Sequence, residues 1–206
     1  MRIGRKALPA DMTIPEDAPG VVIFAHGSGS SRLSPRNRQV ARALNGERLA
    51  TILFDLLTEE EAEDRRNVFD IPLLARRMGE AIAAARESAE LRGLKIGLFG
   101  ASTGAAAALC AAAADHEIAA VVSRGGRPDL AFDALDAVTA PTLLIVGGLD
   151  EEVITLNEDA LARLRCEKRL EIVPGATHLF EEPGAMEQVI ALAARWFTTH
   201  LRKEKQ

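Results

Sequence analysis

A chain of 206 residues, 48% of them hydrophobic and 27% charged, is sized and composed for one globular domain with a sizeable core. Its formal net charge of −5, with basic residues scattered along it, argues against a nucleic-acid partner. Two cysteines, Cys110 and Cys166, lack metal-ligand spacing and indicate neither a disulfide framework nor a bound metal.

Residues 1–14 can supply one or two short strands with a turn near Pro9 and Asp11, and residues 15–20 connect them to the next element. Val21 to Ala25 is a continuous apolar run, the pattern of a strand covered on both faces, and it ends in the small, flexible loop His26-Gly27-Ser28-Gly29-Ser30-Ser31. A helix is expected over Pro35 to Leu49, with Ser34 as its N-cap, and a buried strand over Ala50 to Phe54, closed by Asp55. The acidic run Glu59 to Asp64 reads as a solvated loop or helix start, and Leu73 to Leu91 as a long surface helix ended by Gly93.

Ile96 to Phe99 then runs straight into Gly100-Ala101-Ser102-Thr103-Gly104 and an alanine-rich helical segment that takes in Cys110 as core packing. A buried strand, a tight turn with serine at its apex and a departing helix form a nucleophile elbow. A Cβ at Gly100 or Gly104 would crowd the crossing of strand and helix. The helix N-terminus directs free N–H groups at any oxyanion beside Ser102. Further strands are expected at 118–122, 142–146 and 169–173, and helices at 128–135, 153–165 and 184–200, before a charged tail at 201–206. Strands alternate with helices to the end, so the expected fold is one α/β domain with a mostly parallel sheet and helices on both faces. The polar and glycine-rich segments fall at the carboxyl ends of the strands, where such sheets bind ligands.

A serine hydroxyl needs an adjacent base. Of the four histidines, His178 follows the last strand in a turn and is the expected base; His116 and His200 lie at distant ends of elements, and His26 is expected to anchor its loop. Asp150, past the preceding strand, is the expected acid that orients His178, with Asp55 the competitor; the order serine, aspartate, histidine favours Asp150. The N–H groups of Ser28 and Thr103 are expected to form the oxyanion hole. Reading the 26–31 loop as a phosphate cradle instead is weakened by the absence of a following Walker-pattern lysine. Arg32, Arg124 and Arg127 are expected near the same edge and, with His26, Gly27 and Gly29, are candidate substrate-binding residues; the arginines either pair with neighbouring acids or hold an anionic group of the substrate.

The four motifs HGSGSS, GASTG, GGLD and GATH, in this order, resemble those of the α/β-hydrolase superfamily, and within it the small dienelactone-hydrolase-like esterases. The resemblance implies a three-layer α/β-hydrolase fold. Dienelactone hydrolases proper carry cysteine at the elbow, whereas this chain has Ser102, which points to a serine carboxylesterase. No stretch between 118 and 142 is long enough for a lipase-like lid. The expected activity is hydrolysis of small esters, lactones or thioesters through an acyl-enzyme, without cofactor or metal. An amidase or acyltransferase on the same triad, or a non-catalytic binding module, is the alternative. No run at the amino terminus has signal-peptide length and none is long enough to span a membrane, so the expected protein is cytoplasmic and works away from membranes.

Overall fold

The computed structural model describes residues 1–202. One sheet of eight strands runs in the order β1-β2-β4-β3-β5-β6-β7-β8. β1 (Arg2–Ile3) and β2 (Leu8–Thr13) form an antiparallel edge, with β2 pairing antiparallel to β4 (Ala50–Phe54). From there β3 (Gly20–Ala25), β5 (Lys95–Ala101), β6 (Ile118–Arg124), β7 (Thr142–Gly147) and β8 (Lys168–Val173) are all parallel to their neighbours. The parallel strands therefore end along a single edge.

The central strands are apolar along both faces because both are covered. Val22 and Phe24 of β3 join the core beneath α1 (Pro35–Gly46) and α7 (Ala185–Leu201), whereas Val21, Ile23 and Ala25 join the opposite core. That second layer contains α4 (Ile71–Glu87), α5 (Thr103–Ala114) and α6 (Glu151–Arg163). The result is the three-layer fold expected from the motifs, with no lid domain among the described residues. The short helix expected at 128–135 is present as a kinked 3-10 segment over residues 128–137. Among the described residues no helix is long and apolar enough to cross a membrane.

Helix boundaries shift where local capping outweighs periodicity. α4 starts at Ile71 because the Asp70 side chain accepts from the Leu73 N–H, with Pro72 in the first turn, and it stops at Glu87. α1 likewise ends at Gly46, before the expected Leu49, which is instead fully buried ahead of β4. The acidic run forms α2 (Glu59–Glu63), closed by a capping box between Thr58 and Glu61. It is followed by α3 (Arg65–Val68). Glu61 is not simply solvated: it also takes the buried Arg77 guanidinium at 2.9 Å, which holds α2 against α4. Cys110 is half-buried and packs against the core on the α5 side of the sheet, as expected. The expected tail begins one residue later than Leu201, which is fully buried against Gly20 and Gly97; residues 203–206 lie outside the described part.

α5 approaches the sheet closely enough that side chains become the limit. A Cβ on Gly100 would lie 2.3 Å from the Ala105 Cα, and one on Gly104 would lie 2.4 Å from the Ala25 carbonyl oxygen. Both are backbone obstacles, so neither can swing aside. Gly79, by contrast, sits in α4 with nothing near its missing Cβ. Gly100→Ala is expected to lower the free energy of unfolding by about 1–3 kcal/mol or more, whereas Gly79→Ala should raise it by up to about 1 kcal/mol. Urea denaturation of the two variants beside the parent checks both signs.

Candidate active site

The elbow places Ser102 in a backbone conformation that side-chain-bearing residues rarely adopt, with φ 51° and ψ −123°. The turn is held from both sides. The Ser102 N–H donates to the Arg124 carbonyl at 3.2 Å, and the Ser102 carbonyl accepts from Ala105 and Arg127 N–H groups. Thr103 is the first residue of α5 and is buried, so its N–H belongs to the free donors of that helix start. Gly27 passes so close that a Cβ there would lie 3.0 Å from the Ser102 Cβ. The loop bearing Ser28 is thereby brought beside Ser102.

His178 and Asp150 meet as the chain order suggested. The turns after β7 and β8 are stitched together by Gly148 N–H to Val173 carbonyl at 2.8 Å and Leu149 N–H to Ala176 carbonyl at 2.9 Å. Gly147 permits this, since a Cβ there would lie 2.5 Å from the Ala176 carbonyl oxygen. Asp150 occupies the N-cap position of α6 but makes no side-chain cap bond. Its carboxylate instead accepts from His178 Nδ1 at 2.7 Å. This contact fixes the tautomer, leaving Nε2 of the neutral ring as the proton acceptor. Ser102 and His178 line one cavity of about 250 Å³, together with Gly27, Ser28, Arg36, Asn37 and Arg124. The two side chains share that cavity without a hydrogen bond between them; such bonds are commonly long in ligand-free sites.

The competing acid is otherwise engaged. Asp55 takes the Arg32 backbone N–H at 2.7 Å and the Arg32 guanidinium at 2.5 Å, and so holds the 26–31 loop from its far end. His26 holds the near end: it bonds the Gly27 carbonyl through Nδ1 at 2.9 Å and accepts the Leu56 N–H at Nε2 at 3.0 Å. With both nitrogens used, His26 anchors the loop. His116 contacts Thr139, and His200 packs on Trp196; neither lies in the Ser102 cavity.

The three arginines separate. Arg32 is tied to Asp55 and lines a neighbouring cavity with Gly29. Arg127 is held in a fork by Asp129 at 2.8 Å and does not line the Ser102 cavity. Only Arg124 reaches it. Their different fates follow from neighbours: an aspartate lies within reach of the first two and not of the third. Sequence reasoning did not find Arg36, Asn37 or Ser34, which enter the cavity from the start of α1. Nor did it find Glu182, whose carboxylate takes the Thr177 N–H at 3.1 Å and hydroxyl at 2.6 Å and so braces the His178 turn. The helix start at Ser34-Pro35 was legible, but nothing in the sequence says which residues of its first turn face the elbow.

Comparison with known proteins agrees with this fold. A model of the alpha/beta hydrolase domain matches residues 18–191. A crystal structure of a dienelactone hydrolase from Anabaena variabilis is 55% identical and superposes with a TM-score of 0.94 over 97% of this chain and 94% of that one. Est1E from Butyrivibrio proteoclasticus shares the fold at 17% identity, with a TM-score of 0.84 over 98% and 99% of the two chains. A Mycobacterium tuberculosis protein provisionally named a phosphoribosyl transferase is 57% identical over 191 residues, which are 92% of this chain and 43% of that protein. The chain thus spans less than half the length of that curated relative.

Burial pushes the His26 imidazole below its ordinary value of 6.5, outweighing the Gly27 bond and the nearby Asp55 charge. The folded chain therefore resists a proton that the unfolded chain accepts. Stability conferred by neutral His26 is complete above about 6.5 and declines as pH falls from there toward the lowered native value. The slope due to this one group is at most about 1.4 kcal/mol per pH unit. Urea unfolding across that window should show a shallower pH dependence in His26→Asn than in the parent; identical slopes would remove the assignment.

Proposed function

The chain belongs to the α/β-hydrolase family, and on that premise we propose that it is a serine hydrolase of small carboxylic esters, lactones or thioesters. The observation that carries the proposal is the Asp150–His178 bond of 2.7 Å facing the strained serine across one cavity. An aspartate that forgoes capping its own helix to hold an imidazole is arranged for proton transfer rather than for helix stability. The dienelactone hydrolase relative supports hydrolysis as the reaction class, and the elbow serine supports an oxygen nucleophile. The phosphoribosyl transferase name belongs to a protein of which this chain spans 43% and is not carried over.

In this reading Ser102 Oγ attacks the carbonyl carbon while its proton passes to His178 Nε2. Asp150 keeps Nδ1–H pointed at itself and stabilises the imidazolium as it forms. The carbonyl oxygen becomes an oxyanion held by the N–H groups of Thr103 and Ser28, with the α5 start adding its partial positive charge. Imidazolium returns the proton to the departing alkoxide or thiolate, leaving an acyl-serine. Water, deprotonated by His178, then attacks the acyl carbon and releases the acid and free Ser102.

Kinetics on activated esters beside matched amides test this directly. Ser102→Ala should lower kcat by several orders of magnitude, and Asp150→Asn by up to about 10⁴-fold, because the amide favours the wrong tautomer. Asp55→Asn should be far milder. Near-parental turnover in Ser102→Ala, or a crippled Asp55→Asn beside a mild Asp150→Asn, would contradict the assignment.

A further inference from the structure

Two cavities meet at the loop carrying Gly27, Ser28 and Ser30, which lines both. One, of about 350 Å³, lies beneath α2 and α3 and is walled by Leu33, Leu56, Leu57, Val68, Leu74 and Thr103. Its arginine, Arg32, is neutralised by Asp55. The other contains Ser102 and His178 and is cationic. Arg124 is 8% exposed there, and neither its Nε nor its Nη1 has a hydrogen-bond partner in the protein. Its guanidinium lies 6.0 Å from the centre of the Phe180 ring. The neighbouring charge is a second cation, Arg36, whose own partner is Glu181 at 2.8 Å. Burial, and then Arg36, push the Arg124 pKa down to about 10, so it is still charged at neutral pH.

A buried guanidinium without a counter-ion is costly, and this fold shows how it satisfies one kept for structure. Arg77, equally buried, is paired with Glu61 at 2.9 Å and Glu80 at 3.3 Å. Arg124 has no such carboxylate. Its backbone is nevertheless fixed to the nucleophile, since its carbonyl accepts the Ser102 N–H. Phe180 beneath it is itself held at a positive φ of 55°, a backbone conformation that side-chain-bearing residues rarely adopt.

We propose that the substrate is bipartite: an oxyanion group, carboxylate or phosphate, seats on Arg124 with Arg36 beside it, while an apolar limb crosses the Gly27–Ser28 loop into the cavity beneath α2. The scissile carbonyl then lies where the cavities meet, between Ser102 and the Ser28 and Thr103 N–H groups. This deepens the ester-hydrolase reading and rests on it for the reaction, but not for the anion site. Binding and turnover therefore separate the two. In a Ser102→Ala background, calorimetric titration with glutarate and with inorganic phosphate should show binding of at least one, identifying the group. Adding Arg124→Met should weaken that binding by about 10- to 100-fold, and Arg124→Lys by less. Binding of neither probe, or equal binding by a folded Arg124→Met variant, overturns the anion site even if ester hydrolysis is established. If Arg124→Met does not fold, Arg124→Lys and Arg36→Gln carry the comparison, and unchanged binding in both has the same meaning. For turnover, the ester is hexyl hemiglutarate, or hexyl 4-phosphonobutyrate if phosphate is the group that binds. Its kcat/KM should exceed that of the methyl counterpart and that of the neutral isostere by about tenfold or more each. Arg124→Met should bring the charged-to-neutral ratio toward one. Equal treatment of hexyl and methyl esters overturns the apolar limb; equal treatment of charged and neutral esters overturns the anionic one.

Discussion

The rest of the site depends on backbone contact at the elbow. Strand β5, the Gly27 loop and helix α5 approach until no Cβ fits at Gly100 or Gly104. That approach lets the chain reverse within a few residues and leaves Ser102 at φ 51° at the apex. The strain is local and is balanced by a large surrounding core: α5 is buried along almost its whole length among small side chains, and both faces of β5 are covered. A serine presented this way needs no movement to stand clear of the sheet. In the proposed reaction the same helix start would supply an N–H to the oxyanion, so that positioning and charge stabilisation would come from one steric arrangement.

Electrostatics around the elbow follow a second pattern, in which groups are withheld from the partners they would ordinarily take. Asp150 is placed to cap α6 and instead bonds His178. Arg124 is buried as deeply as Arg77 but lacks the carboxylates that Arg77 has. By contrast, the charges that build the walls are fully matched: Asp55 with Arg32, Glu61 with Arg77, Asp129 with Arg127. In the proposed reading, Asp150 and Arg124 are left free of scaffold partners for the reaction and the substrate, while Arg36 at the cavity edge remains paired with Glu181.

Much of this was legible in the sequence because it rests on short-range steric and topological rules. Apolar runs such as Val21 to Ala25 fixed the buried strands, the glycines around Ser102 fixed the elbow, and the parallel topology brought the strand ends, with Asp150 and His178, to one edge. What escaped depends on side-chain partners distant in the chain. Whether Arg124 or Arg127 stays unpaired is decided by whether an aspartate such as Asp129 happens to lie within reach. The entry of Arg36 and Asn37 into the cavity is decided by the rotation of α1 on the sheet, which the local pattern does not specify. The acidic run read as solvated supplies Glu61 to a buried arginine on another helix. Boundaries moved for local reasons, as where Asp70 starts α4 two residues early.

The central claim is that Ser102 is an activated nucleophile and the only one. The most direct measurement is covalent labelling with a fluorophosphonate, followed by peptide mass spectrometry. The account requires a single adduct on Ser102, formed rapidly in the parent and much more slowly once His178→Asn removes the base. An unlabelled protein, an adduct on another residue, or labelling of Ser102 at an unchanged rate without His178 would contradict it.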